Sequence, residues 1–165
     1  MAEKHYVLQG MFGDNPPITE HTPHCLELAM VALHAGPCEV TLRVPFDARL
    51  VGDPTRGVVF GGLITTLLDH AGGVAVMCSL EDLRSIATID LRIDYMRPAT
   101  PGRDLVGHAC CYRVTKNVAF VRGAAYHDDR DDPFATFLST YMLGANFFPP
   151  SVLETLEGRV PEGMP

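Results

Sequence analysis

The sequence predicts an α+β chain, an antiparallel sheet of about six strands wrapped around one long central helix. Three observations carry this. Residues 58–77 form the longest helix-compatible run, free of proline, with apolar residues at 63, 64, 67, 68, 71, 74 and 75 in the i, i+3, i+4, i+7 pattern. Residues 87–96 alternate strictly, with Ala87, Ile89, Leu91, Ile93 and Tyr95 on one face and Thr88, Asp90, Arg92, Asp94 and Met96 on the other. Two strand-like runs precede the helix and four strands, the alternating one first, follow it. A single helix that is apolar almost all round must be enclosed, so the sheet has to curl about it.

In chain order, residues 1–25 read as an N-terminal arm rich in Gly and Pro, with a short helix near Thr22 to Leu28. Strand-like runs follow at Leu26 to Leu33 and Glu39 to Phe46, separated by the turn signal Ala35-Gly36-Pro37. A loop from Asp47 to Val59 delivers the chain to a helix starting at Gly61 and ending near Leu80. Strands are predicted at 87–96, Asp104 to Val114, Val118 to His127 and Phe134 to about Leu143. The Thr115-Lys116-Asn117 turn joins the second and third of these, and the acidic segment Asp128 to Asp132 joins the third and fourth. That acidic segment lacks the glycine and glutamate of an EF-hand loop and reads as a solvated hairpin tip. The domain thus spans 26–145, and residues 146–165 form a tail with one helical turn around Val152 to Leu156.

The 165 residues, 47% hydrophobic and 20% charged, are those of one folded domain rather than a disordered chain. A net charge of −7 without a basic stripe argues against nucleic-acid binding. The five cysteines show no CxxC spacing, so neither a disulfide framework nor a zinc site is indicated, no metal or other cofactor is expected, and a cytoplasmic location is the natural expectation. No apolar h-region follows Lys4, so no signal peptide is expected. The central helix is interrupted by Asp69 and His70, and no membrane span is expected of it.

Asp69 is the feature that calls for chemistry. A lone carboxylate on so apolar a helix is costly to desolvate unless something pairs with it or uses it. Gly72 and Gly73 each cost the helix about 1 kcal/mol against alanine, which points to a close approach by another group. His70 points about 100° away from Asp69 and reads as a core or interface histidine. No Gly-x-Ser-x-Gly elbow is present to make a serine hydrolase.

Gly52-Asp53-Pro54, Gly57-Val58-Val59-Phe60-Gly61-Gly62 and Leu67-Leu68-Asp69, with Asp94-Tyr95-Met96-Arg97-Pro98-Ala99 downstream, resemble the PaaI-like hotdog thioesterases, which hydrolyse acyl-CoA thioesters. The resemblance covers roughly residues 26 to 145. It implies that Asp69 is the catalytic acid and that the Gly61 N–H polarises the thioester carbonyl at the helix N-terminus, where unsatisfied donors and the helix dipole favour an oxyanion. It also implies a site shared between two subunits, hence a dimer or a dimer of dimers. The chain departs from the family pattern in having Phe60 where histidine is common and Asp53 where asparagine is common. Substrate contacts are expected from Asp53, Phe60, Gly62, Thr66 and Thr88, with Thr65 a further candidate. Arg97, Lys116 and Arg122, with Arg56 behind them, are candidates for the phosphates of coenzyme A, which enters as part of the substrate rather than as a cofactor. An aryl or medium-chain acyl group fits the helix face of Leu63 and Leu67 with Phe60. The alternatives are a non-catalytic acyl-CoA-binding module and a hotdog dehydratase, the latter short of a histidine at position 60.

Overall fold

A computed structural model describes residues 23–80 and 84–144. Its elements are α1 (Pro23–Glu27), β1 (Val31–Gly36), β2 (Glu39–Val44), a 3-10 turn (Ala48–Leu50), β3 (Val51–Asp53), β4 (Val58–Val59), α2 (Gly61–Ser79), β5 (Ile86–Tyr95), β6 (Leu105–Val114), β7 (Val118–Tyr126) and β8 (Ala135–Leu143). Six strands form one antiparallel sheet in the order β1-β2-β6-β7-β8-β5, and β3 with β4 makes a separate small hairpin. The helix connects β2 to the far edge strand β5 and lies in the hollow of the sheet, against β2, β6 and β7 above all.

The sequence explains this packing. On β2, Val40, Leu42 and Val44 are buried while their neighbours are not. On β8 the buried set is Ala135, Phe137, Ser139, Tyr141 and Leu143, with Leu138 and Met142 exposed. Both strands thus show the period of two that a half-buried sheet requires. Leu63, Leu67, Leu68, Ala71, Val74, Ala75 and Val76 of α2 close the core from inside. Gly107 of β6 is what lets Leu67 sit on the sheet, since a Cβ there would lie 2.8 Å from Leu67 Cγ. By length and composition alone α2 could cross a membrane, but its buried face is taken by this core.

Four expectations need correction. The first strand is not Leu26 to Leu33: Pro23 opens a short helix through Glu27, and β1 begins at Val31. Ala35 and Gly36 belong to that strand, and the turn falls on Pro37 and Cys38, whose φ of 72° reverses the chain. The loop 47–59 contains the 3-10 turn and the β3–β4 hairpin, elements too short to leave a periodic trace. The alternation of β5 is broken as well. Thr88 pairs with Tyr141 but Asp90 with Thr140, so Ile89 is an extra residue in a β-bulge. Ser139 Oγ, on the buried face of β8, donates to the Asp90 carbonyl at 2.6 Å beside that bulge. Predicted segments within 1–22 and 145–165 lie outside the described residues.

Candidate active site

The bulge decides where Thr88 points. Unbroken alternation would put it on the face opposite Leu91, Ile93 and Tyr95. With Ile89 extruded, Thr88 turns toward the helix and donates its hydroxyl to Asp69 Oδ1 at 2.8 Å. A second donor is Tyr141, 2% exposed on β8. Its Oη lies 2.9 Å from the Asp69 carbonyl oxygen and 3.3 Å from Oδ1, so its single proton is shared between backbone and carboxylate. Burial is the main cause that pushes the Tyr141 phenol above its ordinary pKa, with Asp69's charge adding to it, so the group remains a donor. Asp69 itself is half-buried, and Oδ2 makes no hydrogen bond among the described residues.

Asp69, Thr88 and Tyr141 form one wall of a cleft of about 190 Å³, completed by His70, Gly73, Val74, Met77 and Ile86. Its chemistry is a carboxylate with one oxygen anchored by two hydroxyls, facing a lining that is apolar apart from His70. A carboxylate so fixed suits activation of a water molecule.

The N-terminus of α2 lies eight residues before Asp69, which stands mid-helix. Phe60 is the N-cap residue and makes no side-chain cap bond, as its ring has no acceptor to offer. Phe60 is 61% exposed, and its ring covers Gly62, where a Cβ would fall 2.2 Å from Phe60 Cε1. The Gly61 carbonyl accepts from Tyr95 Oη at 3.1 Å and from Thr65 Oγ1 at 3.3 Å, which ties the first turn to β5. Thr66 bonds back to the Gly62 carbonyl at 2.9 Å.

The other anticipated residues are spread out. Asp53 Oδ1 accepts from Thr55 Oγ1 (2.6 Å), Thr55 N (2.9 Å) and Arg56 N (3.2 Å), so its carboxylate organises its own turn. The Thr55 hydroxyl is the leading cause that lowers its pKa. Arg97 is held by Asp132 through the carbonyl and Oδ2, each at 2.7 Å. Arg122 lies over the Tyr112 ring, 5.6 Å from its centroid. Lys116 is exposed in the β6–β7 turn, which Arg84 tethers by donating to the Lys116 carbonyl at 3.3 Å. That turn also bonds Leu143, the β8 partner of Ile86, and so lies beside the C-terminal half of the helix, where Ile86 meets Gly73. His70, expected as a core or interface histidine, is buried enough that its pKa falls to about 4. Tyr141 was missed in the sequence, where it reads as one more apolar position of β8. The glycine opposite it at position 72 was the available signal.

Comparison with known proteins identifies the family. Residues 56–134 match the model of the thioesterase superfamily. A Halobacterium salinarum protein provisionally named an esterase is 41% identical over 83 residues, 48% of this chain and 54% of that one, so the match spans about half of that relative. The medium/long-chain acyl-CoA thioesterase YigI of Escherichia coli is 30% identical over 108 residues, covering 58% of this chain and 68% of its own. A crystal structure of a Pseudomonas aeruginosa protein superposes with a TM-score of 0.71 at 41% identity, covering 82% of this chain and 98% of that one. The fold is also that of the Escherichia coli PaaI protein, with a TM-score of 0.75 at 14% identity over 88% of this chain and 99% of that one. The chain therefore belongs to the thioesterase superfamily, with the hotdog architecture of its PaaI-like members.

Proposed function

We propose that this protein hydrolyses acyl-CoA thioesters to the free acid and coenzyme A. The observation that carries the reading is the Asp69 carboxylate, anchored through Oδ1 by Thr88 and Tyr141 on the wall of an apolar cleft. In this reading Asp69 takes a proton from water as it attacks the thioester carbon. The carbonyl oxygen gathers negative charge against the Gly61 N–H, and coenzyme A leaves as its thiolate. Similarity to relatives named acyl-CoA thioesterases supports the substrate class.

The helix itself argues for two subunits. Its rise of about 1.5 Å per residue separates the Gly61 N–H from the Asp69 level by about 12 Å, too far for one carbonyl group to meet both. We infer a homodimer, or a dimer of dimers, in which the helix N-terminus of one copy faces the acid of another. The long edge strand β5, with Ile89 and Tyr95 exposed, offers a surface for that association. Lys116, with Arg84 bonded to its carbonyl, is a better-placed cation for the phosphates of coenzyme A than Arg97, which is already paired. Leu63 and Leu67, expected to line the acyl site, are core residues, so a medium-chain acyl group is supported by similarity to the relative named a medium/long-chain acyl-CoA thioesterase.

The test is to incubate wild type and Asp69→Asn with a panel of acyl-CoAs and follow free coenzyme A by chromatography. Turnover that falls at least about 100-fold in the variant, the size of a lost general base, is the expected result. Tight binding of intact acyl-CoA by folded wild type without turnover would instead establish the non-catalytic binding module, which the donor-free Phe60 at the helix start favours over the dehydratase.

A further inference from the structure

The geometry points to a metal site formed by His24, Cys25 and His70, suited to one divalent ion of the zinc type. His24 and Cys25 are neighbours in α1, and His70 stands on α2, so no short sequence spacing announces the set. Their candidate ligand atoms all lie within 4.8 Å of one another. Cys25 Sγ is 3.4 Å from His70 Nε2. The His24 and His70 rings meet edge to face, with centroids 5.2 Å apart and planes at 82°.

These separations are close to those of a coordination sphere. With metal–sulfur near 2.3 Å and metal–nitrogen near 2.0–2.1 Å, a tetrahedral ion holds a sulfur and a nitrogen ligand about 3.5 Å apart. The Cys25–His70 pair already stands at that distance, and His24 needs to close by at most about 1.5 Å. One thiolate with two imidazoles is a donor set for zinc rather than for magnesium or calcium, which take oxygen. Cys25 is 1% exposed, and the burial that disfavours the charged form of His70 keeps its imidazole neutral, the form a metal binds.

Three protein ligands leave a fourth tetrahedral position, which water fills. The ion clips α1 to α2 at the edge of the cleft, where His70 is one of the lining residues. A helix of five residues has little stability of its own, and a metal bridge is one way to hold it against the core. The bridge between α1 and α2 does not depend on the hydrolytic reading.

The experiment is a cobalt titration of the full chain, reduced and stripped with chelator. Saturation is expected at one equivalent, with the visible bands of four-coordinate cobalt and a near-ultraviolet thiolate-to-cobalt band. Zinc should displace both and raise the melting temperature. Cys25→Ser should lose the thiolate band, and Cys38→Ser, at an exposed cysteine, should keep it. Should Cys25→Ser fail to fold, X-ray absorption of the zinc-loaded wild type decides, with one sulfur near 2.3 Å and nitrogens near 2.0–2.1 Å expected. A spectrum without a sulfur ligand, full retention of binding in His70→Asn, or no binding at about 100 μM metal would each overturn the site.

Discussion

A Cβ placed on Gly72 would lie 2.2 Å from Tyr141 Oη and 3.1 Å from its Cζ. The glycine on the helix and the phenol on the last strand are therefore two halves of one contact. Tyr141 reaches Asp69 only because position 72 has no side chain. Gly72→Ala must push a buried ring out of place, an overpacking that costs about 1–3 kcal/mol. Urea denaturation should show that loss, and turnover should fall with it. Combining Gly72→Ala with Tyr141→Phe removes the colliding oxygen, so the double variant should be more stable than the two single losses summed. Strict additivity would show that the contact is not the source of the cost.

Thr88 bonds Asp69, so in the proposed reaction it would act through the acid rather than on the substrate. Thr88→Val keeps the side-chain shape but deletes the donor to Asp69 Oδ1. A hydrogen bond to a charged group is worth about 1.5–3 kcal/mol, so kcat should drop by roughly 10- to 100-fold with KM little changed. Thr88→Ser, which keeps the hydroxyl, should retain most of the rate. A change confined to KM in steady-state kinetics would make Thr88 a substrate contact instead.

Gly62 should behave unlike Gly72. A Cβ at position 62 meets Phe60, but that ring is 61% exposed and can swing into solvent. Gly62→Ala should leave the melting temperature unchanged or raise it, since alanine favours a helix by up to about 1 kcal/mol. The KM for acyl-CoA should change several-fold as the displaced ring leaves the helix N-terminus. An unaltered KM would take Phe60 out of the substrate path.

His108 sets an acid limit on stability. It is 4% exposed, its Nδ1 lies 3.0 Å from Thr41 Oγ1, and its Nε2 has no hydrogen-bond partner among the described residues. Burial is the main cause that lowers its pKa, and the charge of Arg130 acts in the same direction. The unfolded chain therefore takes up this proton near pH 6.5, while the folded chain resists it to lower pH. Stability from this group is present above about pH 6.5 and is lost as pH falls below it, at no more than about 1.4 kcal/mol per pH unit. Denaturation at about pH 7 and about pH 5 should show a larger loss for wild type than for His108→Gln. Equal losses would sink the assignment.

How far the sequence could be read follows from what leaves a periodic mark. The helix from Gly61, the four later strands and the isolation of Asp69 were all legible, because burial imposes periods of 3.6 and 2 on long segments. Thr88 was named as a site candidate yet placed on the wrong face. A bulge at Ile89 inserts one residue into an apolar-polar alternation without disturbing the alternation itself. The support given to Asp69 by Tyr141 depends on a strand 72 positions away, and only the complementary glycine hints at it. The early strand was misplaced because Leu26 and Leu28 suit a helix and a strand equally, and the start of α1 at Pro23 decides between them.

The helix Gly61–Ser79 also has a history during synthesis. Of the strands it packs on, β1 and β2 precede it, and β5, β6, β7 and β8 are encoded after it. At about 5–20 residues per second, the ribosome releases this apolar segment seconds before most of its cover exists. During that interval the nascent chain presents a 19-residue stretch with the length and hydropathy of a membrane span. Whatever reads hydrophobicity at the tunnel exit meets the core of this protein before the sheet does.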